Sequence, residues 1–228
     1  MRPKKNPKSQ TVGADERLLT DIAYARIEEM IVTMKLRPGT VVSESSLGND
    51  LGIGRTPVRE ALQRLAREQL VRVLPRRGVI VSEIDVKSQL RLLEVRKELE
   101  RYTARSAARR ATDAERQRFA ELADIFFACA RTNDDATFIK ADREFNDLNA
   151  AAARNEFAST ALLNMQSLSR RFWYLHYRQA ADLPETAIRH AEVAQAIAQG
   201  DEEAAAKASD RLIDLMAEFT RTTVSTEF

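Results

Sequence analysis

Only 7 Gly and 6 Pro punctuate this chain of 228 residues, while Ala and Arg recur throughout. A many-stranded sandwich or barrel needs frequent turns, and turns are built largely on those two scarce residue types. The scarcity predicts a mostly helical protein. A content of 44% hydrophobic and 31% charged residues is ordinary for a globular chain and argues against wholesale disorder. The length suits two domains or one large one. No apolar run approaches the roughly 18 residues that span a bilayer. The opening Met1-Arg-Pro-Lys-Lys-Asn-Pro-Lys8 is basic with no apolar segment behind it, so it does not read as a secretory signal. Cys129 stands alone and can form neither an internal disulfide nor a thiolate metal cage. A cytoplasmic, mainly helical protein is expected.

The net charge of +2 hides an asymmetry. Residues 1–84 carry 15 Lys and Arg against 10 Asp and Glu, and the remainder carries 21 against 24. A basic first part on a mildly acidic second part fits a nucleic-acid-binding domain joined to something else.

Local patterns divide the chain in the same place. Residues 1–17, rich in Lys, Pro, Ser and Gln at their start, read as a disordered basic arm. From about Thr20, Ile22, Ala23, Ile27, Met30, Ile31 and Met34 recur at helical spacing, and Arg37-Pro38-Gly39 would end that helix. Ser43 is a good N-cap for a short helix to about Leu51. Gly52-Ile53-Gly54 makes a tight turn, and a third helix is expected with Thr56 as N-cap and Pro57 at its first position. Two β-branched runs, Val71–Leu74 and Val79–Val81, flank Pro75-Arg76-Arg77-Gly78 as a hairpin. Residues 18–84 thus describe a winged helix-turn-helix. Residues 85–228 read as an all-helical bundle of six or seven helices, near 85–110, 112–132, 134–153, 156–180, 184–199 and 201–222. Thr112 with Glu115 and Asp182 with Glu185 have capping-box spacing, and Gly200-Asp201 reads as a stop and a new cap.

The short third helix is where chemistry is readable. A helix entering the major groove presents side chains to base edges from its first turns. Arg55 and Arg59 lie four apart on one face, and arginine can contact guanine O6 and N7 with two hydrogen bonds. Thr56 would reach a phosphate or a thymine methyl. Arg76, Arg77 and Gly78 at the wing tip offer two cations and a bend near the minor groove, and Ser43, Ser45 and Ser46 could donate to phosphate. Arg64, Arg67 and Arg72 read as solvated.

These residues carry a family resemblance. The run Arg37-Pro-Gly-Thr through Arg55-Thr-Pro-Val-Arg-Glu-Ala-Leu-Gln-Arg-Leu65, with Arg76-Arg-Gly78, resembles the winged helix of GntR-family transcription regulators. The carboxyl-terminal part resembles the FCD effector domain of the FadR-like branch. It does so through Glu94-Val-Arg96-x-x-Leu-Glu100, Asp142-x-x-Phe145 and His190 upstream of Ala-Ile-Ala-Gln-Gly-Asp201. The resemblance implies a homodimer on a palindromic DNA operator, with a small carboxylate effector altering DNA affinity, and a repressor more often than an activator. It also implies that Arg55, Thr56, Arg59 and the wing around Gly78 meet the double-stranded DNA, to which the residue reading adds Ser45.

Arg96, Asp142, Asn146 and His190, polar residues on otherwise apolar helix faces, are the expected effector-binding set. The alternative is internal pairing, with Arg96 on Asp142 or Glu100 and His190 capping a carbonyl. Many relatives hold a divalent metal through an aspartate and three histidines. Here Asp142 and His190 remain, but Asn146 and Leu212 stand where two of the histidines would be. An amide is a poor ligand and leucine is none, so zinc, nickel or manganese is doubtful and no cofactor is expected to be required. His176 could compensate only by pointing inward. Phe172, Trp173, Tyr174 and Tyr177 read as core or dimer packing. No nucleophile motif, Ser/His/Asp arrangement or phosphate-binding glycine loop suggests an enzyme. The competing reading is an effector-independent dimeric DNA-binding protein whose bundle only dimerises.

Overall fold

The computed structural model describes residues 8–75, 77–180 and 182–225, with the side chains of 17–75, 77–176 and 182–223. Two compact units emerge. The first joins residues 1–84 to Ser167–Leu175, and the second holds Asp85–Gln166 and His176–Phe228. The border after residue 84 lies where the sequence pattern changes. The inclusion of 167–175 in the first unit has no counterpart in that pattern.

The first unit begins with α1, Lys8–Val32. It starts well before Thr20 and takes in much of the expected disordered arm, because Ala14, Glu16, Arg17, Leu18 and Leu19 are strong helix formers. It also ends earlier than Arg37: Met34 takes φ 60°, and the Leu36 N–H donates to the Met30 carbonyl at 2.9 Å, closing the last turn. Strand β1, Val41–Val42, was not read from sequence, since two residues carry no period. Helix α2, Glu44–Leu51, has the expected Ser43 cap and closes on Gly52 in the left-handed region, φ 66°. Helix α3, Arg55–Arg67, is capped by Gly54 rather than Thr56. Thr56 and Pro57 therefore lie inside its first turn, where the N–H that proline lacks has no intrahelical partner to lose.

Strands β2, Val71–Leu74, and β3, Gly78–Val81, form the hairpin with Leu74 opposite Gly78. β3 is the central strand, antiparallel to both β1 and β2. Gly78 adopts φ +96°, and a Cβ there would lie 2.6 Å from the Val42 carbonyl oxygen, so the wing closes on β1 only with glycine at its base. Arg76 lies outside the described residues.

The core of this unit places Val58, Ala61, Leu62 and Leu65 of α3 with Ala23, Ile27 and Ile31 of α1, Leu47 of α2, and Val71, Val79 and Val81 of the sheet. Both helices bury one stripe at helical spacing. Each large aliphatic side chain contributes about 1.5–3 kcal/mol of burial. Leu168 of the 167–175 segment packs against this core.

The second unit is built from α4 (Val86–Arg110), α5 (Asp113–Thr132), α6 (Asp135–Ala152), α7 (Glu156–Ala180, whose middle belongs to the first unit), α8 (Leu183–Gln199) and α9 (Glu202–Ser225). Turns of a few residues separate them. Asp85, Thr112, Asp134, Asp182 and Asp201 each accept an N–H from the third residue onward. At Thr112 the reciprocal bond from Glu115 completes the box. α4 packs on α9 and α5 on α8. Ala104, Ala107 and Ala108 of α4, and Ala187, Ala191 and Ala194 of α8, are buried, and such small side chains let helix axes approach closely. No helix among the described residues is long and apolar enough to cross a membrane.

Candidate nucleic-acid interface and buried polar cluster

At the amino end of α3, Arg55, Thr56 and Arg59 are exposed together. The first turn of α3 contains no acidic residue, which leaves its free N–H groups and dipole suited to phosphate. Arg55 makes no ion pair among the described residues. Arg59 does: its Nε lies 3.0 Å from both carboxylate oxygens of Glu44, and its Nη2 lies 2.9 Å from Oε2. Glu44 is the first residue of α2. Ser43 accepts the Ser46 N–H at 3.0 Å, and the Ser43 and Ser45 hydroxyls are 3.3 Å apart beside the same helix start. On the wing, Arg72 and Arg77 are exposed, and the Arg77 N–H donates to the Leu74 carbonyl at 3.0 Å to close the turn. Glu44 was missed from sequence because nothing in the chain pairs residues 15 apart on different helices.

Arg64, expected to be solvated, is instead engaged on both sides. It stacks 3.7 Å from the centroid of the Tyr24 ring and pairs with Glu68 at 3.3 Å. Tyr24 donates to Glu68 at 2.7 Å. Burial, together with this carboxylate, raises the phenol well above its ordinary pKa.

The middle of α7 brings two adjacent arginines to the first unit. Arg170 pairs with the buried Glu28 of α1 at 3.2 Å. Arg171, only 3% exposed, donates to the carbonyls of Ser82 (2.9 Å) and Glu83 (3.1 Å), and its Nε has no partner. Desolvation lowers this guanidinium to about 10.

In the second unit, the structure brings Asp142, Asn146 and His190 together. His190 Nε2 lies 3.1 Å from Asp142 Oδ1, and Asn146 Nδ2 donates to the same oxygen at 2.9 Å. His190 Nδ1 lies 2.8 Å from the Thr186 carbonyl oxygen. Both ring nitrogens face oxygen atoms. Phe126, Phe138 and Phe145 surround the ring at centroid distances of 5.2, 5.2 and 6.0 Å. Arg96 is held by Glu100, one turn along α4, through Nε at 2.7 Å and through Nη2.

Two polar stripes meet at Thr103 and Asn149. Arg96, Glu100 and Thr103 share a face of α4, and Asp142, Asn146 and Asn149 share a face of α6. Asn149 Nδ2 reaches Thr103 Oγ1 at 3.4 Å, while its buried Oδ1 has no partner. Thr103 and Asn149 drew no attention in the sequence because single polar residues in helices are ordinary.

The donor set does not fit a tight divalent metal site. Asp142 is hydrogen-bonded by an amide and an imidazole, Leu212 is apolar and buried, and no group of three or more His, Cys, Asp or Glu able to hold a metal occurs among the described residues. His176 is half-buried on α7, as are Trp173 and Tyr174, while Phe172 is buried; the Tyr177 side chain lies outside the described residues.

A winged helix with exposed arginines at the start of α3, joined to a helical domain with a buried polar cluster, is the architecture of a DNA-binding transcriptional regulator. The chain matches the family of bacterial regulatory proteins called gntR over residues 19–81 and the FCD domain over residues 91–215. It belongs to the GntR family, in the group that carries an FCD domain. An uncharacterized HTH-type transcriptional regulator of Streptomyces ambofaciens is 44% identical over 77 residues, which are 34% of this chain and 31% of that protein. The HTH-type transcriptional repressor RspR of Escherichia coli is 26% identical over 200 residues, 87% of each chain. The solved structure of E. coli McbR/YncC superposes with a TM-score of 0.71 at 20% identity, over 91% of this chain and 96% of that one, which supports the fold.

Proposed function

We propose that this protein is a cytoplasmic, homodimeric repressor that binds a palindromic operator through α3 and the wing, and whose DNA affinity responds to a small organic acid bound in the carboxyl-terminal domain. The carrying observation is the exposed start of α3, where Arg55, Thr56 and Arg59 stand together and the helix's own first turn holds no carboxylate. Arg55 and Arg59 would read base edges. Thr56 and Ser45 would hold phosphates, and Arg76, Arg77 and Gly78 would approach the minor groove. A two-fold dimer matches two half-sites at fixed spacing, so a small change in the separation of the two winged helices loses one half-site's contacts.

For the effector, Arg96 commits Nε and Nη2 to Glu100. The Nη1 end of its guanidinium is the part left for a ligand carboxylate, with Asp142, Asn146 and His190 as the remaining polar groups of the site. No metal is required in this reading. The test is a thermal-shift screen of mono-, di- and tricarboxylic acids and sugar acids, each with and without zinc, nickel or manganese after chelator stripping. A metal-independent rise in melting temperature that Arg96→Ala abolishes is the expected result. A hit that depends on metal overturns the metal-free reading. Absence of any hit favours a bundle that only dimerises. Light scattering of the same sample tests the dimer.

A further inference from the structure

An arginine has two edges that can each make a pair of parallel hydrogen bonds: the side edge of Nε and Nη2, and the end edge of Nη1 and Nη2. In this protein the side edge of Arg59 is occupied. Nε and Nη2 both point at the Glu44 carboxylate, at 2.9–3.0 Å. Both side chains are substantially exposed, 56% for Arg59 and 35% for Glu44. No burial forces them together, and an exposed pair of this kind contributes little to folding. Helix α2 does not depend on Glu44 for its start, because Ser43 supplies the cap. What the pair does change is the guanidinium itself. Its side edge is committed to the carboxylate, its Nη1 makes no hydrogen bond among the described residues, and the carboxylate offsets part of its charge.

We propose that Glu44 is the positioning residue that turns Arg59 from a phosphate-seeking cation into a base reader. A free arginine near DNA is drawn first to phosphates, which carry no sequence information. Held by Glu44, Arg59 gains little from a phosphate, because the carboxylate already satisfies its side edge and repels the phosphate anion. Its end edge retains the geometry that matches guanine O6 and N7. The rotamer freedom that a long side chain loses on binding is surrendered before DNA arrives. Arg55, which has no ion pair among the described residues, keeps its full charge for the sequence-independent attraction as well as for reading a base edge. Glu44 would therefore set specificity without touching a base.

This inference rests on α3 being the reading helix, and the experiment separates the two. Bound sequences are selected from a random duplex library by the full-length protein and by its Glu44→Gln, Glu44→Asp, Arg59→Ala and double Glu44→Gln/Arg59→Ala forms. Affinity for a fixed non-operator duplex is measured across salt concentrations. Glu44→Gln is expected to flatten the preference at the half-site position that Arg59→Ala also flattens. It should also raise non-operator affinity severalfold and steepen the salt dependence by about one phosphate contact, a slope change of about 0.9. Glu44→Asp, which keeps the charge but shortens the reach, should fall between. In the Arg59→Ala background, Glu44→Gln should change the selected sequence no further, whatever the lost carboxylate does to non-operator affinity. An Arg59→Ala effect on the selected sequence with no Glu44→Gln effect, or a Glu44→Gln effect on the selected sequence that persists without Arg59, overturns the proposal. No change in selected sequence with Arg59→Ala overturns the reading of α3 instead. Should Glu44→Gln fail to fold, Glu44→Asp alone decides, because a selected sequence and salt slope identical to those of the unaltered protein would refute the role.

Discussion

Nε2 of His190 and Oδ1 of Asp142 lie 3.1 Å apart, joining α8 to α6 inside a ring of three phenylalanines. Both side chains are largely withdrawn from water, at 9% and 17% exposure. Removing one partner leaves the other uncompensated. Asp142→Ala should lower unfolding stability by about 1–3 kcal/mol through the lost hydrogen bonds from His190 and Asn146, read as a lower midpoint in urea. An unchanged midpoint would mean that the pair is solvated.

The two arginines of α7 should behave differently although they are adjacent. Arg170→Met strands the Glu28 carboxylate, which is 3% exposed, and should cost about 3 kcal/mol. Arg171→Met removes a buried cation whose hydrogen-bond partners among the described residues are two carbonyls. Relief of desolvation offsets the lost bonds, so stability should stay within about 1 kcal/mol. Equal losses in a denaturation series would refute this reading.

Tyr24 supplies a pH signature. Its folded pKa is raised by burial and by Glu68, so above the ordinary phenol pKa the unfolded chain loses a proton that the folded chain keeps. Stability from this group is fully present below about pH 10 and falls as pH rises beyond it. In an ultraviolet titration of the native protein, Tyr24 should stay silent until the fold is lost. Tyr24→Phe should remove that late step and cost about 1 kcal/mol through the bond to Glu68. A Tyr24 that titrates with the exposed tyrosines would show the phenol to be solvated.

Gly78→Ala tests the wing. The substitution puts a Cβ within 2.6 Å of the Val42 oxygen at a φ of +96°, a strain of about 1–3 kcal/mol. The sheet should loosen at β1, seen as faster amide exchange at Val79 and Val81, and DNA affinity should drop. Retained affinity with protected amides would show that the strand shifts to accommodate the methyl group.

The elements most legible in the sequence are those that carry a local signal. Ser43, Thr112 and Gly200 mark helix ends through chemistry confined to three or four residues, and the β-branched runs around Gly78 mark the hairpin. Thr56 misled because Gly54, with no side chain to offer, caps α3 instead. Among the candidate site residues, Asp142, Asn146 and His190 stood out as polar positions on apolar faces. Glu44 and Asn149 did not, because each acquires its role only when separate helices meet. The 167–175 segment was invisible for the same reason. Its arginines look like any solvated pair until Glu28 and the Ser82 carbonyl are set beside them.

That segment has a bearing on how such proteins diversify. Families of this kind invite the picture of a DNA-reading cassette exchanged freely among sensory domains at the joint near residue 84. Here the cassette is not contiguous. Leu168, Arg170 and Arg171 complete it from a part of the gene more than 80 codons downstream. A recombination event at the joint would transplant a winged helix without its own lining and set its Glu28 against a stranger's helix. Viable hybrids would have to carry both stretches together, or arise between parents already matched at those three positions.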